Sequence, residues 1–280
     1  MPPTLYNSLF MAGHEVRWFK ELESTNDYIV NLARDSDTEV DRDRLAGLVV
    51  VSDYQSKGRG RMDREWLAPP GRCLLMSILV PATTIPDNPF LIVSAVSLAV
   101  VEACMETVSL HVDIAWPNDL YVGGKKLGGI LTEIVGGLPY LVVGIGLNVT
   151  WPAIAGDGVI EGASAASDQL EGESTLHSTN TATSILLESE ELVDRRYLLE
   201  RILVWMDRHL EEATMPNGIA DLLKEYRERC ITVGKCVSVS LVGGRVVEGT
   251  AIAIDSNGRL NVESGSGVEV FSSGDVRIIR

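Results

Sequence analysis

The sequence predicts an α+β protein of two domains: a larger domain at 1–229, a mixed β-sheet flanked by helices, and a small β-barrel at 230–280. Three observations carry this. Short Val-, Ile- and Leu-rich runs of strand length are interleaved with segments of helical periodicity up to about residue 230. The last fifty residues hold no helical pattern, only apolar runs broken at Gly243-Gly244, Asn257-Gly258 and Gly265, the mark of consecutive hairpins. At 280 residues, 45% hydrophobic and 22% charged, the chain can fill one large core and a second small one.

Each element follows from local chemistry. Ser24 or Thr25 caps a helix over 24–34, with Ile29, Leu32 and Ala33 on one face. Residues 47–52 (GLVVVS) and 73–80 (CLLMSILV) read as strands around a long Gly- and Pro-marked loop at 53–71. A helix covers 89–106; its apolar stretch LIVSAVSLAVV at 91–101 is too short for a bilayer and reads as buried. A strand at 112–116 runs into Trp116-Pro117-Asn118-Asp119, strands at 119–122 and 127–135 meet at Gly123-Gly124, and another follows at 140–149. Residues 151–183 have five carboxylates and no Lys or Arg, which predicts a long, mobile surface connection. Beyond Asp194, the spacing of Leu198, Leu199, Ile202, Leu203 and Met206 predicts a helix, and a short one follows at 217–229.

A formal net charge of −15 argues against general coating of DNA or RNA, which needs a basic surface. Cys73, Cys104, Cys230 and Cys236 form no CxxC pair, so neither a zinc site nor a disulfide framework is expected. The N-terminus lacks the basic start and apolar run of a signal peptide, and a cytoplasmic protein away from membranes is expected.

One segment breaks the acidic trend. GRGRMDREW at 58–66, with Lys57 before it, puts Lys57, Arg59, Arg61 and Arg64 within eight positions. Gly58 and Gly60 let backbone approach a ligand, guanidinium groups pair with phosphate or carboxylate oxygens, and Trp66 offers a surface for a flat ring. A solvated basic loop or a nucleic-acid patch is the alternative. In WPNDLYVGGKKLGGIL, Asn118 and Asp119 suit a metal–nucleotide or a simple Asx turn. Lys126 enters an apolar strand beside Gly128 and Gly129, where an ammonium calls for an anion; a strand-edge lysine is the alternative. GIGLN at 144–148 lacks the third glycine of a dinucleotide fingerprint and no helix clearly follows it, so that reading is rejected; Asn148 is a candidate contact to phosphate or metal, and glycines that simply allow tight packing are the alternative. Ser24-Thr25-Asn26 presents free N–H groups to an anion or carbonyl, or caps the helix only.

STN, Q-x-x-GRGR-x-x-R-x-W, WPND, KLGGIL and GIGLN, in this order, resemble the biotin–protein ligase family from about residue 15 to the C-terminus. TATSI at 181–185 and the tail VGKCVSVSL…GDVRII also fit. The resemblance implies a catalytic domain like that of class II aminoacyl-tRNA synthetases plus a Src-homology-type barrel. It implies a two-step reaction in which biotin and Mg-ATP give biotinyl-5′-AMP, and a lysine of a biotin carboxyl carrier protein domain then takes the biotinyl group. Carried over position by position, biotin binding falls to Ser24, Thr25, Asn26, Gln55, Arg59, Gly60, Arg61, Lys126, Gly128, Gly129 and Leu131. ATP binding falls to Arg61, Arg64, Trp66, Asn118, Asp119, Lys126 and Asn148, with Asn148 also toward Mg²⁺. Lys126 and Arg61 are the implied catalytic residues.

About two dozen residues precede STN, too few for the DNA-binding domain some members carry, so no operator binding is expected; a monomer or homodimer is. The 58–66 loop has few apolar anchors and is expected to become ordered on ligand. A lipoate–protein ligase of the same fold and a non-catalytic vitamin-binding regulator are the competing readings. A nucleic-acid module is weak, because the final fifty residues balance five cations with five carboxylates.

Overall fold

The computed structural model describes all residues except 1–4, 37, 63, 83–87, 155–159, 162–181 and 280. An eight-stranded sheet forms the larger part: β1 (Leu5–Met11), β2 (His14–Phe19), β3 (Val49–Ser52), β4 (Cys73–Pro81), β5 (Asp113–Ala115), β6 (Asp119–Val122), β7 (Lys125–Ile134) and β8 (Tyr140–Asn148), in the order β1-β2-β3-β4-β8-β7-β6-β5. Only β2 and β3 pair in parallel, so the sheet is mixed as predicted.

Helix α1 (Thr25–Asp35) covers one face and packs Ile29 and Ala33 with Phe19, Val50, Leu79 and Val142. Helix α3 (Pro89–Val108) lies on the other with α5 (Arg195–Ala213) and α6 (Gly218–Glu228). Covered on both sides, β4 needs apolar side chains in both directions, which is why CLLMSILV is nearly continuous rather than alternating. Helix α3 runs two residues past its expected end and is long and apolar enough to cross a membrane. Its apolarity is accounted for by burial against the sheet and two helices.

The hairpin β1–β2 was not predicted, nor were the single-turn helices α2 (Glu39–Asp43) and α4 (Ile185–Ser189). The hairpin turns at Ala12-Gly13, both at positive φ, and its outer strand leaves Leu5, Tyr6 and Phe10 exposed, so it lacks the alternation of a half-buried strand. Two short strands, β9 (Ala153–Ile154) and β10 (Ile160–Glu161), fall inside the acidic connection; most of 151–183 lies outside the described residues.

The C-terminal part is a five-stranded antiparallel sheet of β11 (Cys236–Ser240), β12 (Val246–Ile254), β13 (Leu260–Ser264), β14 (Gly267–Phe271) and β15 (Asp275–Ile278), ordered β14-β13-β12-β11-β15. Its buried Val237, Val239, Leu260 and Val262 belong to the same core cluster as the large sheet and α3. The turn at 255–259 is keyed into the larger part. Trp116 Nε1 donates to Gly258 O at 2.8 Å, and Arg227 donates to Ile254 O and Asp255 O at 2.8 and 2.7 Å. A Cβ on Gly258 would collide with the Phe90 ring, and its φ of +75° already favours glycine.

Candidate active site

The N-terminus of α1, the 58–66 loop and the middle of β7 and β8 enclose a cavity of about 150 Å³. Its polar floor is built around Ser77, which follows Met76 on β4. Ser77 Oγ lies 2.6 Å from Thr25 Oγ1 and 2.5 Å from Asn26 Oδ1. Gln55 Oε1 accepts from Thr25 N and Thr25 Oγ1 at 2.7 and 3.0 Å, and Asn26 Nδ2 donates to Glu133 Oε2 at 2.7 Å. Ser24 caps the helix, its Oγ accepting from Asp27 N at 3.4 Å. The cap, Ser24, is thus the first residue of the Ser24-Thr25-Asn26 triplet at the cavity wall.

The glycines of GIGLN are explained by what lies over them. Gly144 pairs with Ser77 across the sheet, and a Cβ there would run into the Asn26 amide. A Cβ on Gly146 would stand 2.7 Å from Trp66 Cε2. The indole therefore rests against bare backbone on one wall, where its Nε1 is buried without a hydrogen-bond partner. A buried unpaired N–H is costly, and an acceptor on a ligand would relieve it.

The loop folds on itself through Gly60 N to Arg64 O at 2.7 Å and Trp66 N to Gly58 O at 2.9 Å. Its three arginines reach three different walls. Arg59 pairs with Glu133 through both nitrogens, at 2.9 and 2.8 Å, and with Asp27 at 2.5 Å. Arg61 Nη1 donates to Asn118 Oδ1 at 2.8 Å, and Arg64 Nη2 to Asp275 Oδ1 of the C-terminal sheet at 2.9 Å. Burial pushes the Arg61 guanidinium down from its ordinary value against the pull of Asp119. Burial opposes the charge on Arg59 too, but Glu133 and Asp27 outweigh it and the net direction is up.

Lys126 Nζ stands 2.8 Å from Asp119 Oδ1, both side chains about a quarter exposed. Gly129 leaves room for this pair: a Cβ there would be 3.1 Å from Asp119 Oδ1 and 3.8 Å from Lys126 Nζ. Asn118, fixed by Nδ2 to Ile130 O at 2.6 Å, presents its oxygen to Arg61. Arg61 and Lys126 therefore converge through the neighbours Asn118 and Asp119. The Lys126 backbone is held by Thr183 N to Lys126 O at 2.8 Å, while Lys125 turns away to Glu188, which Thr183 Oγ1 also meets. This gives Ala182–Ile185 its place beside the lysine.

Residues 18–149 match the Biotin/lipoate A/B protein ligase family and residues 232–278 the Biotin protein ligase C terminal domain. The chain is 31% identical over 242 residues to the biotin--[acetyl-CoA-carboxylase] ligase of Mycobacterium tuberculosis, covering 84% of this chain and 80% of that one. The chain belongs to the biotin protein ligase family. Its fold is that of the Aquifex aeolicus biotin protein ligase in complex with biotin and ATP (TM-score 0.73, 22% identity, 95% of this chain and 98% of that one). It also matches the Leishmania major ligase in complex with biotinyl-5-AMP (TM-score 0.59, 24% identity, 92% and 98%).

In this biotin ligase chain, the structure brings all but two of the residues that the resemblance assigns to biotin or ATP to the cavity wall. Gly128 is pressed against Gly146 O and Leu147, so it shapes the sheet and not the slot. Asn148 lies in the sheet off the cavity wall, with Nδ2 donating to Thr183 O at 2.9 Å and Oδ1 facing Cys73 Sγ at 3.5 Å, so both its polar atoms are engaged within the protein. Burial pushes the Cys73 thiol up to about 12, so it stays neutral there. Ser77, Glu133 and Asp275 were not anticipated. Ser77 alone left a trace, as the one polar residue in an otherwise apolar buried strand.

Among the described residues no group of three or more His, Cys, Asp or Glu could hold a metal ion by itself. Mg²⁺ with a nucleotide takes one or two carboxylates and fills its shell with phosphate oxygens and water, and Asp119 and Asn118 fit that demand.

Proposed function

We infer that this chain is an ATP-dependent biotin–protein ligase with its active site in this cavity. The observation that carries the reading is the convergence of Arg61 and Lys126 on one pair of neighbours, above a polar floor made by Thr25, Asn26 and Gln55.

Biotin carries a carboxylate and ATP a triphosphate, so activation brings two anions together. In the first step a carboxylate oxygen attacks the α-phosphorus and pyrophosphate leaves, giving biotinyl-5′-AMP. Fixed cations offset that repulsion and the charge that builds on the phosphorus. Lys126 has three N–H donors and Arg61 five, and the protein groups met here use only part of them, which leaves donors for the carboxylate and the α-phosphate. In the second step the unprotonated ε-amine of an acceptor lysine attacks the acyl carbon. AMP leaves, an amide forms, and the amine releases a proton. The same two cations stabilise the departing phosphate.

The ring end of biotin, a cyclic urea, needs donors and acceptors in one place, and Ser24, Thr25, Asn26 and Gln55 offer both. Gly129 and Leu131 form the flat wall, and Gly60 lets the loop close over the acid group. Arg64 and Trp66 serve the nucleotide, and Asp119 and Asn118 would hold Mg²⁺, which would neutralise charge on the phosphates. Biotin is favoured over lipoate by the match of residues 232–278 to the biotin ligase C-terminal domain. The acceptor is a biotin carboxyl carrier domain, met in the cytoplasm by a monomer or homodimer. The net charge of −15 argues against a nucleic-acid partner.

The deciding experiment is pyrophosphate release from Mg-ATP with biotin, lipoate or neither. Release that depends on biotin supports the reading; release equal with lipoate, or none with either, would reject it.

A further inference from the structure

Glu133 sits near the end of β7, on the strand that carries Lys126, Gly129 and Leu131. Its carboxylate is shared by two groups from different parts of the chain. Asn26 Nδ2 donates to Oε2 at 2.7 Å, and Arg59 makes a two-pronged pair with Oε1 and Oε2 at 2.9 and 2.8 Å. The first contact decides which way the Asn26 amide faces: with Nδ2 on Glu133, Oδ1 is turned to Ser77 at 2.5 Å. The second holds the near end of the 58–66 loop over the cavity, helped by Asp27. One carboxylate thus ties together the floor, the loop and the strand of the lysine.

We propose that Glu133 is a positioning residue for biotin, fixing the Asn26 amide and latching the 58–66 loop through Arg59. This rests on the ligase reading. The latch also recasts Arg59, whose guanidinium is engaged by Glu133 and Asp27 rather than left free for an incoming anion. The Arg59–Asp27 and Arg59–Glu133 pairs are roughly a quarter to a half exposed, so water and salt compete for them and the loop can open for substrate. A buried pair would lock the site.

Glu133→Gln tests the proposal with little change in shape. The amide keeps one acceptor oxygen, so it cannot serve Arg59 on both prongs and Asn26 together. The expected result is a rise of about tenfold or more in KM for biotin in pyrophosphate release, with kcat at saturating biotin nearly unchanged. Cleavage of the ligand-free protein within residues 56–68 should also become faster. Arg59→Met removes the latch from the loop side without touching β7 and covers the case where the Glu133 variant folds poorly. It should speed cleavage likewise, and the double variant should be little worse than either single one. Unchanged KM for biotin, or unchanged loop cleavage in both single variants, would overturn the proposal. Cleavage needs no substrate, so wild-type protein that releases no pyrophosphate would fail the ligase reading while the latch is still judged on its own.

Discussion

Lys126 and Asp119 form an ion pair at 2.8 Å across the bare backbone of Gly129, at the point where β6 and β7 meet. The carboxylate keeps an ammonium at the cavity wall without substrate, and the glycine leaves both groups open to one.

Lys126→Ala should therefore leave the fold intact and cut adenylate formation by about a hundred- to a thousand-fold, the scale of losing one fixed group that stabilises a transition state. Single-turnover pyrophosphate release and a thermal melt check it. Near-normal turnover in a folded variant would mean another cation does the work.

Arg61→Met should weaken retention of the adenylate more than its formation, because Arg61 ties the 58–66 loop to Asn118 on the cavity wall. Trapped biotinyl-5′-AMP should escape to solvent faster, measured by chase with unlabelled biotin and ATP. In the wild type, biotin with Mg-ATP should slow proteolysis within 56–68, and equal cleavage with and without ligand would contradict a closing loop.

Gly146→Ala should cost about 1–3 kcal/mol through overpacking, since the added methyl meets the Trp66 ring on a wall that has no slack. Denaturant melts give the loss, and substrate KM values should rise with it. A neutral effect would show that Trp66 moves freely.

His14 gives a pH signature away from the site. Its bond to Asp207 at 3.0 Å, and after burial has worked the other way its bond to Gly47 O, raise its pKa above 6.5. A raised value means the pair contributes fully below about 6.5 and fades as pH climbs through the folded-state value. The advantage of wild type over His14→Gln should be ~0.5 kcal/mol at pH 5.5 and smaller at pH 8.5, by melts at both. A gap that widens with pH would reverse the sign and refute the assignment.

Much of this was legible because local chemistry was unambiguous. Ser24 marks the start of α1, the unbroken apolar run of β4 implies cover on both faces, and a cluster of arginines stands out in a chain of net charge −15. What escaped depends on partners far apart in sequence. Glu133 and Asp275 meet their arginines across 74 and 211 residues, and a carboxylate on a partly exposed strand carries no local mark of that role. Asn148 is a different case. It ends a strand, and sequence does not say which side of the sheet its amide faces; the structure turns it to Cys73 and Thr183. The N-terminal hairpin was invisible because its outer strand exposes apolar residues.

The most direct test is transfer itself: labelled biotin, Mg-ATP and a biotin carboxyl carrier domain, with the target lysine present or replaced by arginine. Label should become covalently attached to the carrier only when ATP and that lysine are both present. Label that stays free with every component supplied, or that attaches without ATP, would contradict the account.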